Sequence, residues 1–501
     1  MNYDQAKSSK LSLFRQANEL NSILSLVLSN FPNQKWAVAA TFPSLDMNIW
    51  GTYPEIQNQV AGGIYGLGKK KSCQQTHLCG KRWKRSFFGL TAELLLFLIR
   101  PRFQIRQLKT ISPIKKYSSA AVFTYSDFDP IDRDFFEKSH FWGNLTKWWS
   151  KEEGLLWIGV GEKSREINPG FEASVSKLQL VADFFASVPK RVELWKQIRF
   201  AAGENELFKL LRSEFFRGIF GVPGLLAEHY LNLFDSFLDL HEVRSILIPY
   251  ENQTWERVLA QVSAKKNVTL FGAIHTTPRF WDTRFFSFEA FADYQPKFLI
   301  DNGQASRDFL LQGGFQEDKI LHGTALRFSH LSTFNDQQSR ENFSTEKQAR
   351  VLAILGASTT AARRLISVMR QAKRRMKLEV VYRPHPALQK WFSLRFPFEP
   401  VDYTSIEIYT NRYVNFVTES TSSLGLELAS IGRRVAVFVP RDCLNFSPLL
   451  FMSDFNDFFS DSESLVKLLN FDAWEKVSVE TILDITGQKD CWTRIKQQLL
   501  S

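Results

Sequence analysis

The chain has 501 residues, 44% hydrophobic and 23% charged, with a formal net charge of +11. That length calls for two domains, and the composition excludes a disordered or collagen-like chain. Four cysteines, at 73, 79, 443 and 491, make no disulfide framework and point to a reducing compartment.

Residues 1–65, with the apolar run KWAVAATF at 35–42, are expected to add a strand and a helix to the first domain. The amino terminus lacks the apolar core of a signal peptide, and no run of about 18 apolar residues follows, so a cytoplasmic protein is expected. The charge is concentrated next. Between Gly66 and Lys116 thirteen basic residues, from Lys69 to Lys116, face one acid, Glu93, which leaves the rest of the chain nearly neutral. The same stretch holds FFGLTAELLLFLI at 87–99, bracketed by KRWKR and RPRFQIRQLK. As a helix it spans about 20 Å, short of the ~30 Å hydrocarbon layer. Its basic flanks, with Trp83, Phe87, Phe88 and Phe103, suit the interface of an anionic membrane. A buried helix beside solvated charges is the plain alternative. Nucleic acid is a third, disfavoured because the charge brackets a Leu-rich run instead of interleaving with aromatics. The expectation is a peripheral protein on the inner face of the cytoplasmic membrane, attached through 69–116, with no nucleic-acid partner. Cys73, His77 and Cys79 lack a fourth ligand at zinc-finger spacing, so no metal is expected there.

From Ala120 strands and helices alternate. Strands are predicted at 120–126, 155–161, 244–251, 268–276, 297–303 and 319–323. Helices are predicted at 142–154, with Gly154 as C-cap, over most of 171–241, and at 255–265 and 306–314. The polar stretch 332–349 reads as a linker. A second series follows, with strands at 350–356, 378–384, 413–419 and 434–440 and helices at 357–375 and 422–432. A last helix at 490–500 is expected to cross back to the first domain. The pattern predicts an α/β protein of two Rossmann-like doubly wound domains, 1–331 and 350–501, facing a cleft.

Candidate chemistry gathers at strand ends. VVYRPHPAL (380–388) runs an apolar strand into Arg383 and His385, held by Pro384 and Pro386. Arginine offers a donor fork to phosphate oxygens, and histidine can pass a proton to a leaving phosphate. The strand ending at Glu419 leads into Ser420, Thr421, Ser422 and Ser423 where a helix begins, a phosphate seat or plain N-capping. Glu427, one turn on, is within reach of sugar hydroxyls. Gly356 and Ser358 make a third small-polar strand end. In the first half, Glu251 stands at a strand end as a candidate base, or as an N-cap, and His275 as a candidate binding residue or a loop histidine. Asp127 and Asp129 have D-x-D spacing but sit beside Pro130 in a turn-like stretch. The chain has no dinucleotide-binding glycine motif, no P-loop and no G-x-S-x-G.

At these residues the chain resembles bacterial surface-carbohydrate (O-antigen or lipopolysaccharide) biosynthesis proteins, a group related to the two-domain GT-B glycosyltransferases. Arg383-Pro384-His385-Pro386 followed by Ser422-Ser423 is similar to the His-Pro and Ser-Ser motifs of bacterial sialyl-, polysialyl- and Kdo transferases and to that of CDP-glycerol glycerophosphotransferases. IPYENQTWE (248–256) and residues 296–328 fit the first-domain pattern of the group. The resemblance covers about 120–440 and is most specific at 380–427. It implies a cytidine-nucleotide donor, a CMP-sugar, and a lipid-linked glycan acceptor, without metal or cofactor. His385 would bind and protonate the donor phosphate with Ser422 and Ser423, Glu427 would take the ribose, and Glu251 would be the base. One departure concerns the base: the acidic-acidic-Gly motif that follows a strand in sialyltransferases precedes one here, as Glu152-Glu153-Gly154. A CDP-alditol phosphotransferase using the same His385 and a non-catalytic membrane-surface scaffold are the alternatives.

Overall fold

The apolar runs form two sheets in a computed structural model that describes residues 104–107, 119–125, 139, 141–149, 155–161, 172–174, 177–204, 206–251, 253–277, 279, 285, 289–333, 350–356, 359–385, 397–401, 409–410, 412–413, 415–440, 445–452, 455–470 and 482–501. The first sheet contains β1 (Gln104–Gln107), β2 (Ala120–Tyr125), β3 (Leu155–Gly161), β4 (Glu172–Ser174), β5 (Ser245–Pro249), β6 (Thr269–Ala273), β7 (Phe298–Ile300) and β8 (Ile320–Leu321). Their order is β4-β1-β3-β2-β5-β6-β7-β8. Pairings from β3 to β8 are parallel, and β1 lies antiparallel between β3 and β4. The second sheet contains β9 (Arg350–Ile354), β10 (Glu379–Arg383), β11 (Glu399–Pro400), β12 (Asn415–Glu419), β13 (Arg434–Phe438) and β14 (Phe458–Phe459). It is parallel throughout, ordered β11-β10-β9-β12-β13-β14.

Parallel strands buried on both faces need continuous apolar runs, and β2 and β5 have them. Successive residues then serve opposite cores. Ala121 and Phe123 of β2 join one and Ala120 and Val122 the other; Leu352 and Ile354 of β9 part in the same way from Val351 and Ala353. Each sheet is therefore covered on both sides, which is the doubly wound α/β architecture expected from the sequence.

One expectation needs correction at its start. Among the described residues, the helix expected over 142–154 runs from Leu145 to Trp149, and 150–154 lie outside them. Its start is displaced because Gly143 turns left-handed at φ +49°, with its amide bonded to the Ser139 carbonyl. Residues 104–107, inside the basic stretch, are sheet: Arg106 pairs in register with Gly159 and Glu172. The last helix, Gln488–Leu500, lies on the first sheet. Trp492 meets Trp142 and Trp149 edge-on and donates its indole N–H to Thr324 Oγ1 at 3.0 Å, and the Ser245 hydroxyl donates to the Leu499 carbonyl.

Among the described residues no helix is long and apolar enough to cross a membrane. The rest of the 69–116 stretch, the run at 35–42, the linker from 334 to 349, Asp127 and Asp129, Glu152 to Gly154, Cys73, His77 and Cys79 lie outside the described residues.

Candidate functional site

In an open α/β sheet the crevice lies outside the carboxyl ends of the strands, where the strand order reverses. In the first sheet the chain goes from β2 to β3 on one side and later to β5 on the other, so the reversal falls between β2 and β5. In the second it falls between β9 and β12. The residues that end these four strands build the site.

At the first reversal, β2 ends at Tyr125 and β5 runs on to Tyr250 and Glu251. Glu251 does not cap the next helix, Thr254–Lys265; Glu256 does. The Glu256 carboxylate, fully buried, accepts the amides of Glu251 at 2.9 Å and Gln253 at 3.1 Å, and the Tyr125 hydroxyl donates to it. Burial dominates its protonation and pushes the carboxyl up to about 8; burial likewise raises the Tyr125 phenol, aided by Glu256 and Glu251. Relieved of capping, the Glu251 side chain turns to the end of β6, where its Oε1 lies 3.0 Å from His275 Nε2. His275 is buried, with the Phe141 ring 4.5 Å from its own. The structure thus brings together the two candidates of the first half, a partly open carboxylate and a buried imidazole behind it.

At the second reversal, β9 runs on to Gly356 and β12 ends at Glu419. Glu419 is 2% exposed and accepts from the hydroxyls of Ser420, at 3.2 Å, and Thr421. Burial raises its pKa against those bonds and the nearby charge of Arg279. Gly356 has to be glycine: a Cβ there would lie 1.6 Å from Glu419 Oε2 and 2.2 Å from Thr421 Oγ1. Arg383 and His385 end β10, the neighbour of β9 on its other side. The Arg383 guanidinium lies 5.4 Å from the Tyr409 ring. Burial, then Arg383, then Arg279 lower the pKa of His385.

β10 and β12, whose carboxyl ends lead to His385 and to Ser422, lie on either side of β9, two strand spacings or about 10 Å apart. Ser423 precedes the short helix Leu424–Ser430 and makes no capping bond with its side chain, so the capping explanation of that serine does not hold. Glu427 is one turn further, its Oε2 3.5 Å from His330 Nε2. Ser358 lies outside the described residues.

Three members of the site carry no sequence signal of their own. Glu256 sits in a stretch that reads as an amphipathic helix, and Glu419 reads as the polar end of a strand. Arg279 stands in the loop after β6, yet its Nη2 donates to the Thr421 main-chain oxygen at 3.1 Å. This bond joins a carboxyl-end loop of the first sheet to one of the second. Among the described residues no group of three His, Cys, Asp or Glu side chains could hold a metal ion.

No family model matches this sequence, and no curated protein is similar to it. Solved structures do overlap with it at low identity. The UDP-GlcNAc 2-epimerase of Methanocaldococcus jannaschii, in complex with UDP-GlcNAc and UDP, is 9% identical, with 76% of this chain and 99% of that chain covered at a TM-score of 0.43. The S. aureus MnaA–UDP structure is 11% identical, covering 76% and 96% at 0.44. The Neisseria meningitidis UDP-GlcNAc 2-epimerase bound to UDP-GlcNAc is 10% identical, covering 76% and 98% at 0.39.

Proposed function

We propose that this chain is a glycosyltransferase that moves a sugar from a CMP-sugar donor to a hydroxyl of a lipid-linked surface-polysaccharide or lipopolysaccharide acceptor. The observation that carries the reading is the opposition of two unlike strand-end sets. One is Glu251 with His275 behind it; the other is Arg383, His385 and the hydroxyl-rich turn 420–423 at the reversal of the second sheet. The first suits removal of a proton, the second reception of a departing phosphate.

The step balances as follows. Glu251 takes the proton of the acceptor hydroxyl, and His275 holds the carboxylate in place. The acceptor oxygen bonds to the anomeric carbon while the bond from that carbon to the phosphate oxygen breaks. Its electron pair leaves with CMP. An imidazole that takes a proton from solvent as the anionic phosphate arrives can pass that proton to the leaving oxygen. Glu427 is assigned to the ribose, and Gly356, Ser358, Ser422 and Ser423 to the phosphate side of the donor. The basic stretch at 69–116 would bring the enzyme to the anionic surface that carries its acceptor.

The test is nucleotide release. Purified protein is offered CMP-sialic acid, CMP-Kdo, CDP-glycerol and UDP-GlcNAc, with free CMP, glycerol phosphate transfer and sugar epimerisation followed separately. The expected result is CMP release from a CMP-sugar, reduced about 100-fold or more in Glu251→Gln and His385→Ala. Turnover of UDP-GlcNAc alone, or of CDP-glycerol alone, would replace the reading.

A further inference from the structure

A general base has to stand about 3 Å from the proton it takes, so a carboxylate on a loop must be held in place. Glu251 lies in the loop between β5 and the helix Thr254–Lys265, and two contacts fix it. Glu256 Oε2 accepts its amide at 2.9 Å, and His275 Nε2 lies 3.0 Å from its Oε1. Both contacts lead back to one side chain at the end of β2. The Tyr125 hydroxyl donates to the other oxygen of Glu256, Oε1. The Tyr125 ring lies 4.9 Å from that of Phe141, which lies 4.5 Å from that of His275. Trp255, the residue before Glu256, meets the same tyrosine edge-on at 5.3 Å. A glutamate that only starts a helix needs to accept an amide and can leave its second oxygen to water. Glu256 is fully buried, and its second oxygen is taken by a residue 131 positions away. Helix capping requires neither feature.

Resting on the reading that Glu251 is the base of a transfer reaction, we infer that Tyr125 is a positioning residue for both members of the Glu251–His275 pair. Its hydroxyl acts on the carboxylate through Glu256 and the Glu251 main chain. Its ring acts on the imidazole through Phe141. β2 pairs with β3 on one side and β5 on the other, so the tyrosine is carried on backbone that two ladders hold fixed. Both arms belong to the strand ends of the first sheet, whereas the donor is assigned to the second. Tyr125 therefore serves proton removal and leaves donor affinity alone.

The experiment uses the full chain as wild type, Tyr125→Phe, Glu256→Leu, Glu256→Gln and Glu251→Gln. Release of CMP from the CMP-sugar that wild type turns over gives kcat and KM, and calorimetry gives CMP affinity. Phenylalanine keeps the ring against Phe141 and loses only the hydroxyl. Glutamine keeps an acceptor for the Glu251 amide and turns its Nε2 to the Tyr125 oxygen. The expected result for Tyr125→Phe is a kcat lower by about 10-fold, with KM and CMP affinity within about twofold of wild type. Glu256→Leu is expected to lose at least as much, and Glu256→Gln to recover most of that loss. Should Glu256→Leu fail to fold, Tyr125→Phe and Glu256→Gln carry the test. Wild-type kcat in Tyr125→Phe would overturn the role of Tyr125 and leave the reading of Glu251 standing. A fall in CMP affinity that matches the fall in kcat would also overturn it, since Tyr125 would then act through the fold. If Glu251→Gln keeps wild-type turnover, or wild type releases CMP from no CMP-sugar, the reading of the site falls and takes this inference with it.

Discussion

Glu251, in the loop before the helix, and Glu256, in its first turn, do opposite work because of where the backbone places them. Glu256 enters the helix and is swallowed under the end of β2, so its carboxyl holds a proton up to about pH 8 in the fold, against an ordinary carboxylate pKa near 4.5 when unfolded. The sign follows directly. Between those values the unfolded chain has lost a proton that the folded chain keeps, so the contribution is full below pH 4.5 and is lost as pH rises towards 8. Glu256→Gln, a neutral isostere, is expected to flatten this part of the profile. Urea midpoints at pH 5 and pH 8 should differ less in the variant than in wild type, and an equal difference would remove Glu256 as the cause. Glu251 and His275 were legible in the sequence because polar residues after apolar β-runs mark strand ends. Glu256 was not, because WERVLAQVSAK has the spacing of a half-exposed helix, and only the position of Tyr125, 131 residues away in sequence, decides that its first turn is buried.

The elements of the site act through the turn after β12. That turn is held from below by Glu419, and Glu419 has room only because residue 356 has no side chain. Gly356→Ala would force either the carboxyl or the β9 end to move, at a cost of about 1–3 kcal/mol. It would also displace Thr421, whose carbonyl is the landing point of Arg279. The expected outcome is a lower melting temperature together with weaker nucleotide binding. Restoring space with Glu419→Ala in the same chain should recover stability but not binding, because the turn then lacks its support. Melting curves and calorimetry on the single and double variants separate the two effects. Strands and helices of both units could be read from the sequence because buried parallel strands are unbroken apolar runs and the helices between them keep their period. The element that departed, the helix over 142–154, did so at Gly143, where a left-handed turn tied to Ser139 consumes the first residues of an otherwise helical pattern.

For the whole molecule, the last helix ties the second sheet back to the first. After the second sheet, Asp484 accepts the Ala325 amide at 2.7 Å and donates its own to Asn302 at 3.0 Å, and the last helix then lies on the first sheet. The relation between the two sheets, and with it Arg279, could not be read locally, since no sequence pattern records which loops of one half face which loops of the other. The returning helix gives that relation a physical anchor. Trp492, almost wholly buried, fills the space between Trp142 and Trp149 on the face of the first sheet that also takes Val122 and Leu247. Trp492→Ala should cost about 3–5 kcal/mol by the cavity it leaves, and the unpaired Thr324 hydroxyl adds to this. The damage should be uneven, because the second sheet has its own two cores and Trp492 belongs to neither. Hydrogen exchange read by mass spectrometry is expected to rise in peptides from β2 and β5 while β9 and β12 keep their protection. Equal loss in both sheets would mean that the two units unfold as one body and that the helix anchors the whole chain instead of the first unit.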